Sequence, residues 1–251
     1  MTAARLSALV VARNEAHQLA DCLAALAFAD ELVVVLDRTT DDSAAIAGRH
    51  GARVIEGAWE IEGPRRMAGI AACTGDWILE VDADERVPEA LAREVRQATQ
   101  DAGPAHYLVR FDNYVGDRLV RHGWGGSWGV MATARLFTPG AKHWGDQRIH
   151  PKVTLGGERR WLETPMRHQV DRNISDMIAR LDRYSSARAA DLRAGGDIGS
   201  FAGNLRRMVS RFVKCFVGRK GYREGAYGFL IALFAALYPM LSYLKARLEP
   251  D

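Results

Sequence analysis

Trp77-Ile78-Leu79-Glu80-Val81-Asp82-Ala83-Asp84-Glu85-Arg86 is the stretch on which the reading of this 251-residue chain turns. Trp77–Val81 is a short, mostly apolar run of the kind that forms a strand buried on both faces. It ends directly in three carboxylates, Asp82, Asp84 and Glu85. Similar runs precede it. Leu6–Ala12 stops at Arg13-Asn14-Glu15, Leu32–Leu36 stops at Asp37, and Arg53–Ile55 is a shorter third. Helical patterns fill the gaps: Glu15–Ala27 with Leu19, Leu23 and Leu26 at helical spacing, Asp41–His50, Pro64–Cys73 opened by proline at its first turn, and Pro88 to Thr99. Strands alternating with helices predict an α/β fold, a mostly parallel sheet flanked by helices. Ligands of such sheets sit outside the carboxyl ends of the strands, so Asp37, Asp82 and Asp84 are expected along one edge.

Grouped carboxylates repel one another unless a positive charge lies between them. A divalent cation bridging to phosphate oxygens, Mg2+ or Mn2+, meets that need with hard oxygen ligands. The plainer reading is that Asp82 and Asp84 cap the helix that follows, and that Asp37 opens the turn into Thr39-Thr40-Asp41. Other nucleotide chemistries lack their signatures. No G-x-G-x-x-G follows the first strand, and no G-x-x-x-x-G-K occurs anywhere. An aspartyl phosphatase is a further reading of a D-x-D strand, although here the pair ends the fourth strand and runs into Glu85-Arg86.

Beyond residue 105 the pattern changes. His106–Phe111, Thr133–Phe137, Ile149–Leu155 and Arg160–Leu162 read as short strands between glycine-rich turns, and Trp124, Trp128, Trp144 and Trp161 fall in this stretch. From Ile174 the chain reads as helical, with breaks at Gly195-Gly196 and from Gly218 to Gly225. Hydrophobic residues make up 48% and charged residues 26%, which is ordinary globular composition. Three scattered cysteines, Cys22, Cys73 and Cys215, argue against a disulfide framework or zinc site. The apolar Leu6–Ala12 run stops at Arg13-Asn14-Glu15, so no signal peptide is expected there. Residues 201–251 carry nine basic and three acidic side chains, a balance of +6 within a net charge of +3, so the first 200 residues carry −3. Leu205, Met208, Val209, Phe212, Val213 and Phe216 recur at helical spacing among Arg206, Arg207, Arg211 and Lys214, a basic amphipathic helix. Ala226–Leu244 is uncharged and long enough to span a bilayer, but Pro239 and its small residues favour an in-plane helix over a span; a core helix is the third reading. Such a basic, apolar tail fits the anionic inner leaflet of a membrane better than nucleic acid, whose usual signatures are missing.

V-V-A-R-N-E-A from Val10, V-V-V-L-D-R-T-T-D-D-S from Val33 and A-C-T-G-D-W-I-L-E-V-D-A-D-E-R-V from Ala72 together resemble the inverting family 2 glycosyltransferases of GT-A fold, in spacing as well as in letters. R-H-G-W, A-R-L-F-T-P-G, R-I-H-P-K-V and M-R-H are similar to a narrower branch, the bacterial lipopolysaccharide-core β-1,4-glucosyltransferases. The resemblance covers about residues 5–245. It implies a nucleotide-sugar site, a UDP-sugar site in that branch, at Ala12, Arg13, Glu15, Asp37, Arg66, Asp82 and Ala83. It further implies a metal held by Asp84, with Asp82 and His168, the histidine after the last strand. Glu15 and Asp37 would hold base and ribose, and Arg66 would approach the diphosphate as a guanidinium fork. It also implies a GT-A domain over residues 1–170, with a nucleotide-sugar half (1–105) and an acceptor half (106–170), and a helical membrane-associating extension over 171–251. One or two of the four tryptophans are expected to stack on sugar in the acceptor half.

The sequence departs from the branch where a base is needed. His150-Pro151 stands where the branch reads H-E, and proline cannot deprotonate an acceptor hydroxyl. Asp146 and His150 are the candidate catalytic residues in its place, with Glu163 as a further choice. Ala12-Arg13 replaces T-Y, and Met67 replaces a common Asn. The expected reaction moves a hexose, glucose in the branch, from the nucleotide-sugar to a lipopolysaccharide-core or other lipid-linked acceptor at the cytoplasmic face of the inner membrane. A non-catalytic nucleotide-sugar or glycan binder of the same fold is the alternative that Pro151 keeps open.

Overall fold

The computed structural model describes residues 4–101, 103–125, 128–146 and 152–249. The chain divides into two compact units, Met1–Phe111 with Ala132–His168, and Asp112–Met131 with Gln169–Asp251. The second unit thus takes in residues 112–131, which the sequence reading placed in the acceptor half.

In chain order the strands and helices are β1 (Leu6–Ala12), α1 (Ala16–Ala24), β2 (Glu31–Asp37), α2 (Ser43–Arg49), β3 (Arg53–Gly57), α3 (Glu62–Ala72), β4 (Trp77–Asp82), β5 (Glu85–Arg86) and α4 (Glu89–Ala98). They continue with β6 (Ala105–Val115), β7 (Arg118–Leu119), β8 (Ala132–Phe137), β9 (Lys142–Trp144), β10 (Val153–Leu155), β11 (Glu158–Trp161) and β12 (Met166–Asp171). Strands β3-β2-β1-β4 form a parallel block, and β8 then pairs antiparallel with β4 and β6 antiparallel with β8. The sheet is therefore mixed, where the sequence reading has it mostly parallel: the βα alternation that forces parallel pairing stops at α4.

The parallel block follows the expected register. Val11 pairs with Asp82 and Ala12 with Leu36, so Asp37 and Asp82 end the two strands on either side of β1. Side chains alternate between faces. Leu6, Ala8 and Val10 join Val34, Leu79, Leu91 and Val95 in one core, while Leu9, Val33, Val35, Ile78 and Phe137 form a second core with Ile70 of α3. Helix α3 lies close on that second face because Gly69 has no side chain: a Cβ there would sit 2.6 Å from Leu9 and 2.8 Å from Val35. Burial pushes the thiols of Cys22 and Cys73 up to about 12, so both are inert packing groups.

At the opposite edge of the sheet, Asp30 accepts from the Leu6 amide at 2.7 Å and from both terminal nitrogens of Arg96 on α4. The Arg96 hydrogen bonds, with the Leu6 amide, hold its carboxyl at about 2 against an ordinary 3.8. A depressed carboxyl stabilises the fold above its unfolded pKa and loses that contribution as the pH falls through its folded one. Asp30→Asn is therefore expected to lower the urea midpoint at neutral pH, the gap from the parent protein closing between about pH 4 and pH 2. A gap that stays constant across that window would show the carboxylate to be dispensable.

In the second unit, α5 (Ile174–Ala194), α6 (Phe201–Val213) and α7 (Ala226–Leu248) follow one another, with a π-helical turn at Lys214–Gly218 and a 3-10 turn at Gly221–Glu224 before α7. Asn173 and Ser200 cap α5 and α6 by accepting from the Asp176 and Gly203 amides. Helix α7 packs on both α5 and α6. Its Ile231, Phe234 and Tyr238 surround Trp124 and Trp128, with Met177 and Leu181 of α5. These two tryptophans are core residues, at 1% and 0% exposure. Arg180 of α5 lies 3.9 Å above the Trp128 ring and forks onto Asp171 at 3.0 and 2.7 Å. The uncharged stretch that reads as a membrane element from sequence is, in the fold, the central helix of this unit. It is also long and apolar enough to cross a membrane, with 61% of its apolar window buried inside the protein.

Candidate active site

The period of a strand explains the site. On β4, Ile78, Glu80 and Asp82 share the face covered by α3, so the same face turns from apolar to acidic toward its carboxyl end. On β8, Arg135 shares a face with Phe137 by the same count. Arg66 comes down from α3 and Lys142 from β9. Arg66 Nη1 lies 2.5 Å from Glu80 Oε1 and 3.0 Å from Asp82 Oδ1, while its Nε donates to Glu62 at 2.8 Å. Arg135 Nη2 lies 2.5 Å from Asp82 Oδ2 and also donates to Glu85. Lys142 Nζ donates to Glu80 Oε2 at 2.6 Å and to the Ala134 carbonyl at 2.8 Å. Arg66, Arg135 and Lys142 thus meet Glu80, Asp82 and Glu85, with Glu62 at the margin, in a cluster in which Glu80, Glu85, Lys142, Arg135 and Arg66 are all buried. Trp144 closes it, 4.7 Å from the Arg66 guanidinium and 5.1 Å from Lys142 Nζ. Gly63 permits that closure, since a Cβ there would lie 1.8 Å from the Gly145 carbonyl.

Burial and charge set the protonation of the cluster. For Asp82 burial works upward, but Arg135 and then Arg66 outweigh it and hold the carboxyl well below the usual range. Glu80 follows the same balance, with Lys142 and Arg66 as the winning cations. Burial dominates at Glu85, and the neighbouring Asp82 and Asp84 add to it, so this carboxyl is pushed up. Lys142 is pulled down by burial despite Glu80.

Asp84 lies outside this knot. The antiparallel pairing of β5 with β12 sets His168 opposite Glu85, which brings its Nε2 to 3.4 Å from Asp84 Oδ2. His168 is packed against the Phe111 ring at 5.3 Å. Burial alone would lower its pKa, but the contact with Asp84 reverses the sign and raises it. One ligand atom from each of Asp84, Glu85 and His168 falls within 4.8 Å of the others. Both Glu85 oxygens already accept, from Arg135 and from the Asp82 amide, so Asp84 and His168 are the donors that face outward from the cluster. A carboxylate oxygen beside an imidazole nitrogen, with a second carboxylate at hand, fits a hard or borderline divalent ion that keeps positions for water or phosphate.

The predicted site residues separate into groups. Asp82, Asp84, Arg66 and His168 come together. Ala12 and Ala83 are buried beside them at strand ends, while Arg13 is exposed. Glu15, half-buried, accepts from Gln18 at 2.7 Å and is pushed up by burial. Asp37 is 2% exposed and fully engaged, accepting from Arg38 at 3.0 Å, from the Trp59 amide at 3.0 Å and from Arg65 at 3.2 Å. Burial pushes its carboxyl up, and these donors outweigh that and hold it low. Arg66 donates to Glu80 and Asp82. His168 sits within a strand, not after the last one. Asp146 is exposed beyond β9, and His150 and Pro151 lie outside the described residues. Glu163 is exposed, 3.6 Å from Arg110. Of the remaining tryptophans, Trp144 is half-buried in the cluster and Trp161 is 39% exposed between Arg110 and Arg159. Arg135, Glu80 and Lys142 were not singled out from sequence, although a charge inside an apolar strand, as in W-I-L-E-V and A-R-L-F, was the available signal.

The D-A-D-E edge falls inside the segment that matches a known family, whereas His168 lies beyond it. The sequence model of glycosyl transferase family 2 matches residues 7–150. The chain belongs to glycosyl transferase family 2. It is an α/β, GT-A-like glycosyltransferase that uses a nucleotide-sugar. An uncharacterized glycosyltransferase of Rickettsia felis is 26% identical over 97% of this chain and 89% of its own. The lipopolysaccharide core biosynthesis glycosyltransferase LpsC of Rhizobium meliloti is 24% identical over 96% of this chain and 91% of its own. Among solved structures, glucosyl-3-phosphoglycerate synthase of Mycobacterium tuberculosis, in complex with Mn2+, UDP and glucosyl-3-phosphoglycerate, matches with a TM-score of 0.38 and 22% identity over 44% of each chain. At that score it decides neither fold nor ligand for this glycosyltransferase.

Proposed function

We propose that this family 2 glycosyltransferase moves a hexose, glucose by its sequence resemblance, from a UDP-sugar to a lipopolysaccharide-core or other lipid-linked saccharide, with inversion and with Mg2+ or Mn2+ at Asp84 and His168. The single observation that carries the reading is the meeting of Asp84 and His168, distant in sequence, at the carboxyl edge of the sheet at 3.4 Å. A divalent ion held there supplies neutralisation of the charge that develops on the diphosphate leaving group.

The protein's own groups do the positioning. Arg66 and Arg135 clamp one Asp82 oxygen each, which fixes the strand end from which Asp84 projects. Preorganisation of this kind lowers the reorganisation needed in the transition state. Glu15, pushed up by burial, is suited to accept or share a hydrogen bond with a base or ribose. In this reading Asp146, an exposed carboxylate two residues beyond Trp144, takes the proton of the acceptor hydroxyl.

Asp146→Asn is expected to lower kcat by about 10²–10⁴-fold while leaving UDP affinity unchanged. Steady-state kinetics beside nucleotide titration would check it, and an unchanged kcat would move the base elsewhere. The whole reading is tested by incubating the protein with UDP-glucose, Mn2+ and core oligosaccharide. Release of UDP with an inverted, β-linked product supports it. UDP binding without any release would favour the binding-protein alternative that Pro151 suggests.

A further inference from the structure

Helix α6 carries an apolar stripe that no other part of the second unit covers. Leu205, Val209, Val213 and Val217 are 41%, 55%, 50% and 58% exposed. A four-residue spacing drifts forward by about 40° per step on an α-helix. The wider i→i+5 turn at Lys214–Gly218 offsets that drift and keeps Val217 in line with the others. Phe212 and Phe216, on the same side at helical spacing but half-buried, stack 5.5 Å apart, and Phe216 meets Tyr222 and Phe229. Those last two rings are themselves 52% and 46% exposed, so the apolar surface extends past the stripe. Contiguous apolar surface of this kind marks an interaction site, whereas isolated exposed side chains do not.

The charge around the patch has one sign. From Phe201 to Arg223 there are seven basic residues and no acidic one. Arg206, Arg207, Lys214, Lys220 and Arg223 are exposed. At the end of the stripe, a recess of about 290 Å³ is lined by Arg121, His122, Trp124, Met131, Arg219 and Lys220, with no carboxylate in its wall. Glu224, which accepts from the amides of the lining residues Arg121 and His122 at 2.9 and 3.0 Å and lies 4.0 Å from Arg118, is buried. Arg219 is laid flat on Gly125, where a Cβ would come within 2.1 Å of its guanidinium carbon.

We propose that this face docks on an anionic phospholipid surface: the stripe enters the headgroup–acyl boundary, and the recess receives a lipid phosphate. The apolar face calls for a partner with an acyl layer, and the unopposed basic rim calls for one that is negative. A second copy of the chain meets the first need and fails the second, because two faces of like charge would be brought together. The proposal goes beyond the glycosyl-transfer reading and does not depend on it, since docking is measured without turnover.

The test is flotation of the full chain with vesicles of phosphatidylcholine alone, and of phosphatidylcholine mixed with phosphatidylglycerol. Binding is expected only with the anionic lipid, and high salt should weaken it. Val209→Asp with Val213→Asp should weaken it by about tenfold or more, as should Arg206→Ser, Lys214→Ser and Lys220→Ser together. Ile178→Asp, an exposed apolar position on α5, serves as the control and should bind as the parent does. UDP titration of each variant reports separately on the donor site. Equal binding to both vesicle types, or unchanged binding of either multiple variant, would overturn the proposal. So would a dimer in light scattering that the aspartate substitutions dissolve, which would make the face a self-interface.

Discussion

Glu80→Gln is expected to destabilise the protein by about 3–5 kcal/mol in chemical denaturation, the range for removing one partner of a buried ion pair. Glu80 is wholly buried, with one oxygen 2.6 Å from Lys142 Nζ and the other 2.5 Å from Arg66 Nη1. Removing its charge leaves Lys142 without a carboxylate partner and Arg66 with only Asp82 and Glu62. Lys142 offers the relief: already pulled down by burial, it would shed its proton and limit the loss. Lys142→Met should therefore be milder than Glu80→Gln, because Glu80 keeps Arg66 and the methionine fills a similar volume. If the two variants were equally stable, or Glu80→Gln lost less than about 1 kcal/mol, the cluster would behave as a solvated surface network.

Asp84→Ala is expected to abolish turnover, by more than about a thousandfold, while leaving the denaturation midpoint near that of the parent protein. Its side chain is 37% exposed and its carboxylate faces His168, outside the knot. Asp82→Ala should lose activity as well, but with a clear fall in stability, because Arg66 and Arg135 would each lose a buried partner. The contrast separates a group that meets the ligand from one that holds the frame. Equal destabilisation by the two substitutions would erase that distinction.

The parallel half of the fold was legible because local pattern and tertiary role agree there. Leu6–Ala12 is bounded in the structure as the sequence reads it, and β2, β3 and β4 differ by one or two residues at their ends. Helix α5 likewise begins at Ile174 and ends before Gly195-Gly196. The antiparallel half was harder. β5, β7, β9 and β12 are short or polar, and nothing in M-R-H-Q-V-D states that it pairs with Glu85-Arg86. His168 could be named from resemblance, whereas its place inside a strand opposite Glu85 is a matter of long-range pairing. The same limit hid the roles of Glu80, Arg135 and Lys142, whose charges are tolerable only because three separate elements converge. Tryptophan was equally ambiguous: Trp124 and Trp128 differ from Trp161 in burial, and the burial of that pair is set by α5 and α7, far along the chain. For α7, composition alone leaves membrane surface, span and core helix open, and its packing on α5 and α6 could not be read from the sequence.

Titration calorimetry of UDP, with and without Mn2+, on the parent protein and on Asp84→Ala and His168→Ala bears most directly on the donor site. UDP binding that requires the metal and is lost or greatly weakened in both variants, with their folds intact, is the predicted result. Metal-independent binding, or full binding by Asp84→Ala, would contradict the assignment of Asp84 and His168 as the metal-holding pair.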